Sequence, residues 1–241
     1  MGHVTVVGGC RAKAPSTGIL ASTLPVGSTV KLMENGAAVE YLVVNQGIPS
    51  NSNLYDASCD GTWLLRKDIH SNRQWDPNNV NKYESSEINT WLNGDFFNSL
   101  GSVEQSAIKQ VKIPYRKNGG SGGSDQSGAN GLLCKIFLLS APEVHYEHTY
   151  IDSGEGAALS YFASCVTNNA DSKRVAYYNG SAALWWLRSP YTNSTNYVWL
   201  VDSSGSCDFY SASSSHGIRP ALVLPSNALF DETTMLLKGV A

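Results

Sequence analysis

Two runs near the C-terminal end of the chain constrain its fold more than any other feature. Trp185-Trp186-Leu187-Arg188-Ser189-Pro190 and Gly217-Ile218-Arg219-Pro220-Ala221-Leu222-Val223-Leu224 are largely apolar, and each carries one arginine. Short continuous apolar runs are the pattern of buried strands, so strands are expected at 184–188 and 218–224, with a third at 197–201, near the centre of a sheet. A guanidinium inside such a run must be paired and hydrogen-bonded, because burying an isolated charge is too costly. Arg188 and Arg219 are therefore expected to tie backbone carbonyls or acids such as Glu143 and Asp152. Trp185 and Trp186 complete that structural framework.

What the framework holds is polar. Residues 191–216 contain eight Ser, three Tyr, and two each of Asn, Thr and Asp, with no Lys, Arg, Glu or Gln. Small hydroxyl and amide groups make adaptable hydrogen bonds, and Tyr and Trp offer large contact area at low entropic cost. Exposed turns share part of this composition, but a polar segment carried on a rigid scaffold is where binding usually sits. The candidate ligand-binding residues are Tyr191, Thr192, Asn193, Ser194, Asn196, Tyr197, Trp199, Asp202, Ser204, Asp208, Tyr210, Ser213 and His216. The aromatics would act as anchors, and the amides, hydroxyls and carboxylates as hydrogen-bonding selectors.

Upstream, Val30 and Leu32 alternate before Glu34-Asn35-Gly36, and Val39, Tyr41 and Val43 after it; Asn-Gly between such runs predicts a β-hairpin. A short strand is expected at Thr62 to Arg66 and a loop at 73–84. Asp76-Pro77-Asn78 in that loop suits a turn, since a calcium cage needs six or more oxygen ligands. A helix should start near Ser85 or Ser86, with Ile88, Trp91, Leu92 and Phe96 on one buried stripe and Gly94 weakening its end. A second follows Gly101, with Ser102 and Gln105 as a capping box and Val103, Ala107, Ile108 and Val111 facing inward. The glycine-rich stretch 118–131 has no lysine for a phosphate loop; a flexible surface loop is expected, which its flanking strands could set beside the polar segment. Ser140 and Glu143 form another capping box over a short helix. The fold class is thus α+β, a small twisted antiparallel sheet with two helices and long loops. Its domain spans 24–230, after an arm or linker at 1–23 with a strand at 4–7 and before a tail at 231–241.

Composition removes several function classes. With a formal charge of -3, 15% charged residues and no basic cluster, the chain lacks the stripe that nucleic acid requires. No apolar run long enough to span a membrane and no signal-peptide pattern is present, so cytoplasmic synthesis without membrane insertion is expected. Five widely spaced cysteines with no CxxC fit neither a disulfide framework nor a zinc site. Glu143, His145, Glu147 and His148 are the densest titratable group, but the two histidines stand three apart where the zinc-protease motif needs four; a surface helix terminus is expected there. No GxSxG elbow marks a serine hydrolase.

WWLRSP at 185–190 and GIRPALVLP at 217–225, with CDGTWLLR at 59–66, YESSEINTWLN at 83–93, IPY at 113–115 and KIFLLSAPEV at 135–144, resemble an uncharacterised domain family of gut bacteria and their phages. That family is related to the C-type-lectin-like, formylglycine-generating-enzyme-like fold, and the similarity runs from about Leu24 to Leu229. Its members resemble phage tail and virion proteins and the variable proteins of diversity-generating retroelements, in which surface residues of the C-terminal segment are diversified. The resemblance implies non-catalytic recognition of a host cell-surface protein or glycan by a phage tail, virion or cell-surface protein. Other virion tail proteins would be partners, and a homotrimer or other oligomer would make binding multivalent. The catalytic relatives hold copper with a pair of cysteines near the C-terminal region, whereas only Cys207 lies there in this chain; no catalysis, cofactor or metal is expected.

Overall fold

A computed structural model describes residues 17–241; the strand expected at 4–7 lies outside them. The Asn35-Gly36 hairpin forms as expected. Thr29–Glu34 pairs with Ala37–Gln46, and Glu34 opposite Ala37 leaves Asn35 and Gly36 as a two-residue turn, both at positive φ. That is the primed-turn geometry whose twist matches the strands. Val30 pairs with Tyr41 and Leu32 with Val39, so the alternating apolar residues share the face turned to the core.

The class is α+β, as expected, but the strands at 185–190 and 221–224 lie in two different sheets. One five-stranded antiparallel sheet runs in the order Ile136–Phe137, Ala221–Leu224, Thr62–Arg66, Ala37–Gln46, Thr29–Glu34. The other runs Cys207–Ser211, Tyr197–Val201, Trp185–Pro190, Ser215–Gly217, Asn72–Gln74, antiparallel except for a parallel bridge between Trp185 and Gly217. The chain changes sheets at Ile218–Pro220. Pro220 has no N–H for a ladder, and its carbonyl instead accepts from Arg66 N at 2.9 Å in the first sheet. Strand Asn72–Gln74 also takes the first residues of what the sequence suggests is a loop at 73–84. In the rest of that loop Asp76 Oδ1 accepts from Asn78 N at 2.8 Å, the expected turn.

Both ends of the described chain meet in a third sheet, where Ala228–Phe230 lies between Ile19–Leu20 and Leu237–Val240. The boundaries expected at 24 and 230 therefore fall between strands that pair, and 231–241 supplies one of them, Leu237–Val240. The glycine-rich stretch likewise is not all loop, since its Ser124–Gln126 pairs in a hairpin with Tyr115–Lys117 just before it.

Ser86 caps the first helix, its Oγ accepting from Asn89 N at 3.3 Å. Glu87–Trp91 continues through a π-helical turn, Leu92–Phe96, into Phe97–Ser99. Ile88, Leu92 and Phe96 are buried, while Trp91 is half-buried with the Arg73 guanidinium 4.4 Å from its ring centre. The second helix, Ser102–Ala107, departs from expectation. Gly101 is its N-cap and no side chain caps it; Gln105 Nε2 donates to Leu100 O at 2.8 Å instead. Glu104 is buried and accepts from Met33 N at 2.9 Å, which turns Val103 out to 39% exposure. Val111 faces inward from the strand Val111–Ile113 and not from a helix.

The core is continuous, and four fully buried tryptophans anchor it. Each indole N–H finds a carbonyl: Trp63 to Cys59, Trp75 to Leu187, Trp185 to Arg174 and Trp186 to Arg73, at 2.9–3.1 Å. A buried indole N–H without such a partner would cost the full desolvation of a donor.

Candidate functional site

The site is built on the buried strand Trp185–Pro190. All five guanidinium N–H groups of Arg188 are accepted: two by Glu143, at 2.6 and 2.7 Å, and three by the carbonyls of Pro114, Leu138 and Glu155, at 3.1, 2.8 and 2.7 Å. Glu143 is placed by the expected capping box, although it closes a single turn and not a helix. Its Oε2 accepts from Ser140 N at 3.0 Å, and Ser140 Oγ accepts from Glu143 N at 3.2 Å. Asp152 pairs with Arg116, which also reaches Asp125. Arg219 finds no carboxylate. Its Nε donates to Arg66 O at 2.8 Å, its guanidinium lies 5.0 Å from the Trp185 ring centre, and burial pulls its pKa down to about 10.

A third buried arginine had no signal in the sequence. Arg174 lies in a polar stretch, yet it is fully buried and donates to the carbonyls of Val144, His145, Val166, Asn169 and Gly205. It joins the 144–145 turn, the 166–169 loop and the 202–205 turn.

Register then decides which polar-segment residues share a face. Trp199 lies opposite Phe209 and Tyr197 opposite Ser211, whereas Val198 lies opposite Tyr210 and Leu200 opposite Asp208. Directly opposed residues sit on the same face of the sheet and successive ones alternate. Tyr191, Tyr197 and Trp199 are therefore separated from Tyr210 and Asp208, and the expected single recognition face divides in two.

The first face carries a contiguous aromatic cluster. Tyr191 stacks on Tyr150 at 4.6 Å and on Trp199 at 5.5 Å, and lies 4.5 Å from Phe209; Tyr197 meets Phe209 edge-on at 5.5 Å. The His148 ring adjoins both Tyr150 and Trp199. Tyr197 and Phe209 are exposed, at 41% and 37%. Trp199 is 2% exposed and donates its indole N–H to Tyr150 O, so it is the floor of the cluster and not an anchor. On the other face Tyr210 packs edge-on against His216, which packs against buried Trp186. Burial lowers the pKa of His216.

Several expected hydrogen-bonding selectors are occupied within the chain. Ser194 Oγ donates to Asn196 Oδ1 and accepts from the amides of Asn196 and Tyr197. Asp202 Oδ1 accepts from Ser204 N, Ser204 Oγ and Ser206 N, closing a turn. Asn79 Oδ1 accepts from Ser211 Oγ and Ser213 N. Asn193 stays exposed and Thr192 half-exposed. Tyr150, His148 and Phe209 were missed. The run His145-Tyr146-Glu147-His148-Thr149-Tyr150, dense in aromatic and imidazole rings, was the available signal for two of them.

The 118–123 loop buttresses this face, as its flanking strands allowed. Buried Asn81 donates to Ser194 O and Tyr197 O at 3.0 and 2.9 Å and accepts from Gly120 N; Ser121 N donates to Ser194 O at 2.8 Å. A Cβ on Gly120 would lie 2.0 Å from Tyr191 O and 2.3 Å from Ser194 O, both backbone atoms. Gly120→Ala is expected to lower stability by about 1–3 kcal/mol, as overpacking does, and to move the amide resonances of 191–197 in an NMR spectrum. Unchanged resonances there would refute the buttress.

Beside the aromatic cluster the surface dips twice. A cleft of about 500 Å³ is lined by His145, Glu147, His148, Ile151, Ser153 and Ala157 among others, and one of about 510 Å³ by Tyr146, Glu147, His148, Thr149 and Asn168. His148 Nδ1 accepts from Tyr150 N at 3.2 Å, so a neutral imidazole carries its proton on Nε2. Among the described residues no group of three or more His, Cys, Asp or Glu could hold a metal ion, and no helix is long and apolar enough to cross a membrane. Burial pushes the Cys207 thiol far up, away from the thiolate that soft-metal binding needs.

Residues 60–226, which hold all of the second five-stranded sheet, three strands of the first and the whole aromatic cluster, match the family described as "Domain of unknown function (DUF6273)". No curated protein and no solved structure matches the chain.

Proposed function

We infer that this chain, which belongs to the DUF6273 family, is a non-catalytic recognition domain whose ligand meets the face formed by Tyr150, Tyr191, Tyr197, Phe209 and His148. The observation that carries this reading is the contiguous, partly exposed aromatic cluster, seated on a sheet whose central strand is locked by Arg188. Exposed aromatics on rigid backbone bury area on binding at little entropic cost. The ligand is a host cell-surface protein or glycan, and the setting a phage tail, a virion or a cell surface, alongside other tail proteins. A C-type-lectin-like, formylglycine-generating-enzyme-like fold belongs to the same proposal; the α+β class and the loops over the second sheet support it. Oligomeric display, as in a trimer, would raise avidity over weak single sites.

The double variant Tyr191→Ser, Phe209→Ser tests the face. Wild type and variant are applied to a printed array of bacterial surface glycans and to intact gut-bacterial cells. Loss of an anchor pair is expected to weaken binding by about 2 kcal/mol or more, roughly thirtyfold, with thermal unfolding little changed. Tyr210→Ser, on the opposite face, should leave binding intact; the reverse pattern would move the site to that face. A purely structural virion or surface module is the second reading, favoured by the occupied side chains of Ser194, Asp202 and Ser204. It gains if wild type binds neither preparation. Population sequencing decides diversification: substitutions concentrated at exposed Asn193, Tyr197 and Phe209 support it, and uniform variation removes it.

A further inference from the structure

Glu155 is a fully buried carboxyl, and neither of its oxygens meets a hydrogen-bond partner. A group left in that condition calls for an explanation, because each unsatisfied buried polar atom costs stability. Its surroundings are well defined. Arg188 donates to the Glu155 carbonyl, not to its carboxylate, and is already neutralised by Glu143. The Ser189 hydroxyl, whose oxygen accepts from Ala141 N at 2.9 Å, is the one neighbouring donor that favours the ionised carboxyl, but it stands outside hydrogen-bonding geometry in the packed turn. From its own turn Asp152 adds negative charge, and from the strand Ser124–Gln126 so does Asp125; the two share Arg116, on Tyr115–Lys117. Tyr55 OH holds the other side of the turn, accepting from Ala157 N at 2.9 Å.

This turn is also a wall of the cleft of about 500 Å³, to which it contributes Ser153, Gly156, Ala157 and Ala158. We propose that Glu155 is a proton-operated fastening for that wall. With its carboxyl neutral, the turn stays packed beneath Arg188 and the cleft is closed on that side. With it ionised, an unpaired charge beside Asp152 and Asp125 drives the turn out toward water and opens the cleft. The proton leaves to solvent, so only the turn has to move.

The electrostatics support the geometry. Burial raises the Glu155 pKa from 4.5 to about 8, against the opposing pull of Arg188 and the Ser189 hydroxyl, with Asp152 and Asp125 adding to the rise. Burial, with Asp152 beside it, also lifts Asp125 to about 6. For an acid raised on folding, the packed turn is fully stable below the unfolded value, and that stability is lost as pH climbs toward the folded one. The loss therefore falls between about pH 4.5 and pH 8, where the open form gains population, and it is complete above pH 8.

The test uses the free domain, so its outcome is separate from that of the recognition reading. Amide exchange is followed by NMR from pH 6 to 9.5 in wild type and in Glu155→Gln, which keeps the shape and removes the charge. Relative to Glu155→Gln, wild-type protection at Gly154, Gly156 and Ala157 is expected to fall by up to tenfold per pH unit from pH 6 to about 8 and to level off above it. Equal protection in the two proteins, or a loss spread over the whole domain, would overturn the proposal. A carboxyl carbon titration of Glu155 in wild type is independent of the variant's folding. A midpoint near 8 supports the fastening, and one near the ordinary glutamate value ends it.

Discussion

Glu143→Ala is expected to be among the most damaging single substitutions in this domain, lowering stability by about 3–5 kcal/mol, the usual cost of stranding one partner of a buried ion pair. Both members are completely buried, and the pair is bidentate. Loss of the carboxylate leaves Arg188 charged and facing only the carbonyls of Pro114, Leu138 and Glu155, while Ser140 N loses its acceptor. In a domain of this size the melting temperature should drop by roughly 10 °C or more. The double variant Glu143→Leu, Arg188→Met distinguishes pairing from scaffolding. If the pair were only an ion pair, replacing both partners with apolar groups would restore most of the stability. Here the three carbonyls would lose their donors, at about 1–3 kcal/mol each, so the double variant should remain well below wild type. Denaturant midpoints with an unchanged slope would measure this, and full recovery in the double variant would refute the scaffolding role.

Arg174→Met carries the second large effect. The side chain is buried against five carbonyls, with the Tyr146 ring centre 5.3 Å from its guanidinium. Methionine fills comparable space but satisfies none of them, so a loss of about 4 kcal/mol or more is expected from the orphaned acceptors. Arg174→Lys should do little better, since an ammonium has three donors at one point where five are needed in a planar fork. Damage should concentrate where the carbonyls lie, at 144–145, 166–169 and the turn around Gly205, visible as early exchange of those amides. Because no carboxylate takes part, added salt should leave the difference between wild type and variant unchanged. Melting within a few degrees of wild type would show that the carbonyls find other donors.

How far each feature was legible depends on how locally it is determined. The hairpin at Asn35-Gly36, the strand Thr62–Arg66, the Ser86 cap and the Ser140–Glu143 box rest on neighbours a few residues apart, and all four formed. The capping box at Ser102 and Gln105 was equally local in its signal and failed, because the Met33 amide holds Glu104 and so sets the helix's rotation. Arg188 could be anticipated, since an apolar run announces its burial. Arg174 could not, because its acceptors lie up to 31 residues away and its own neighbours are polar.

The same division runs through the candidate site. The amino-acid sequence by itself determined that buried strands fall near 184–188 and 218–224, seen at 185–190 and 221–224, on either side of a polar segment. Those properties follow from apolar patterning and from the cost of burying a charge. Only the tertiary structure decided that the two strands belong to different sheets and that Tyr197 and Tyr210 face opposite ways. It also brought Tyr150 and His148 from another part of the chain onto the face of Tyr191. The reason is physical: composition and periodicity act over one or two turns of chain, whereas the register of Tyr197–Val201 against Cys207–Ser211 sends alternate side chains to opposite faces of the sheet.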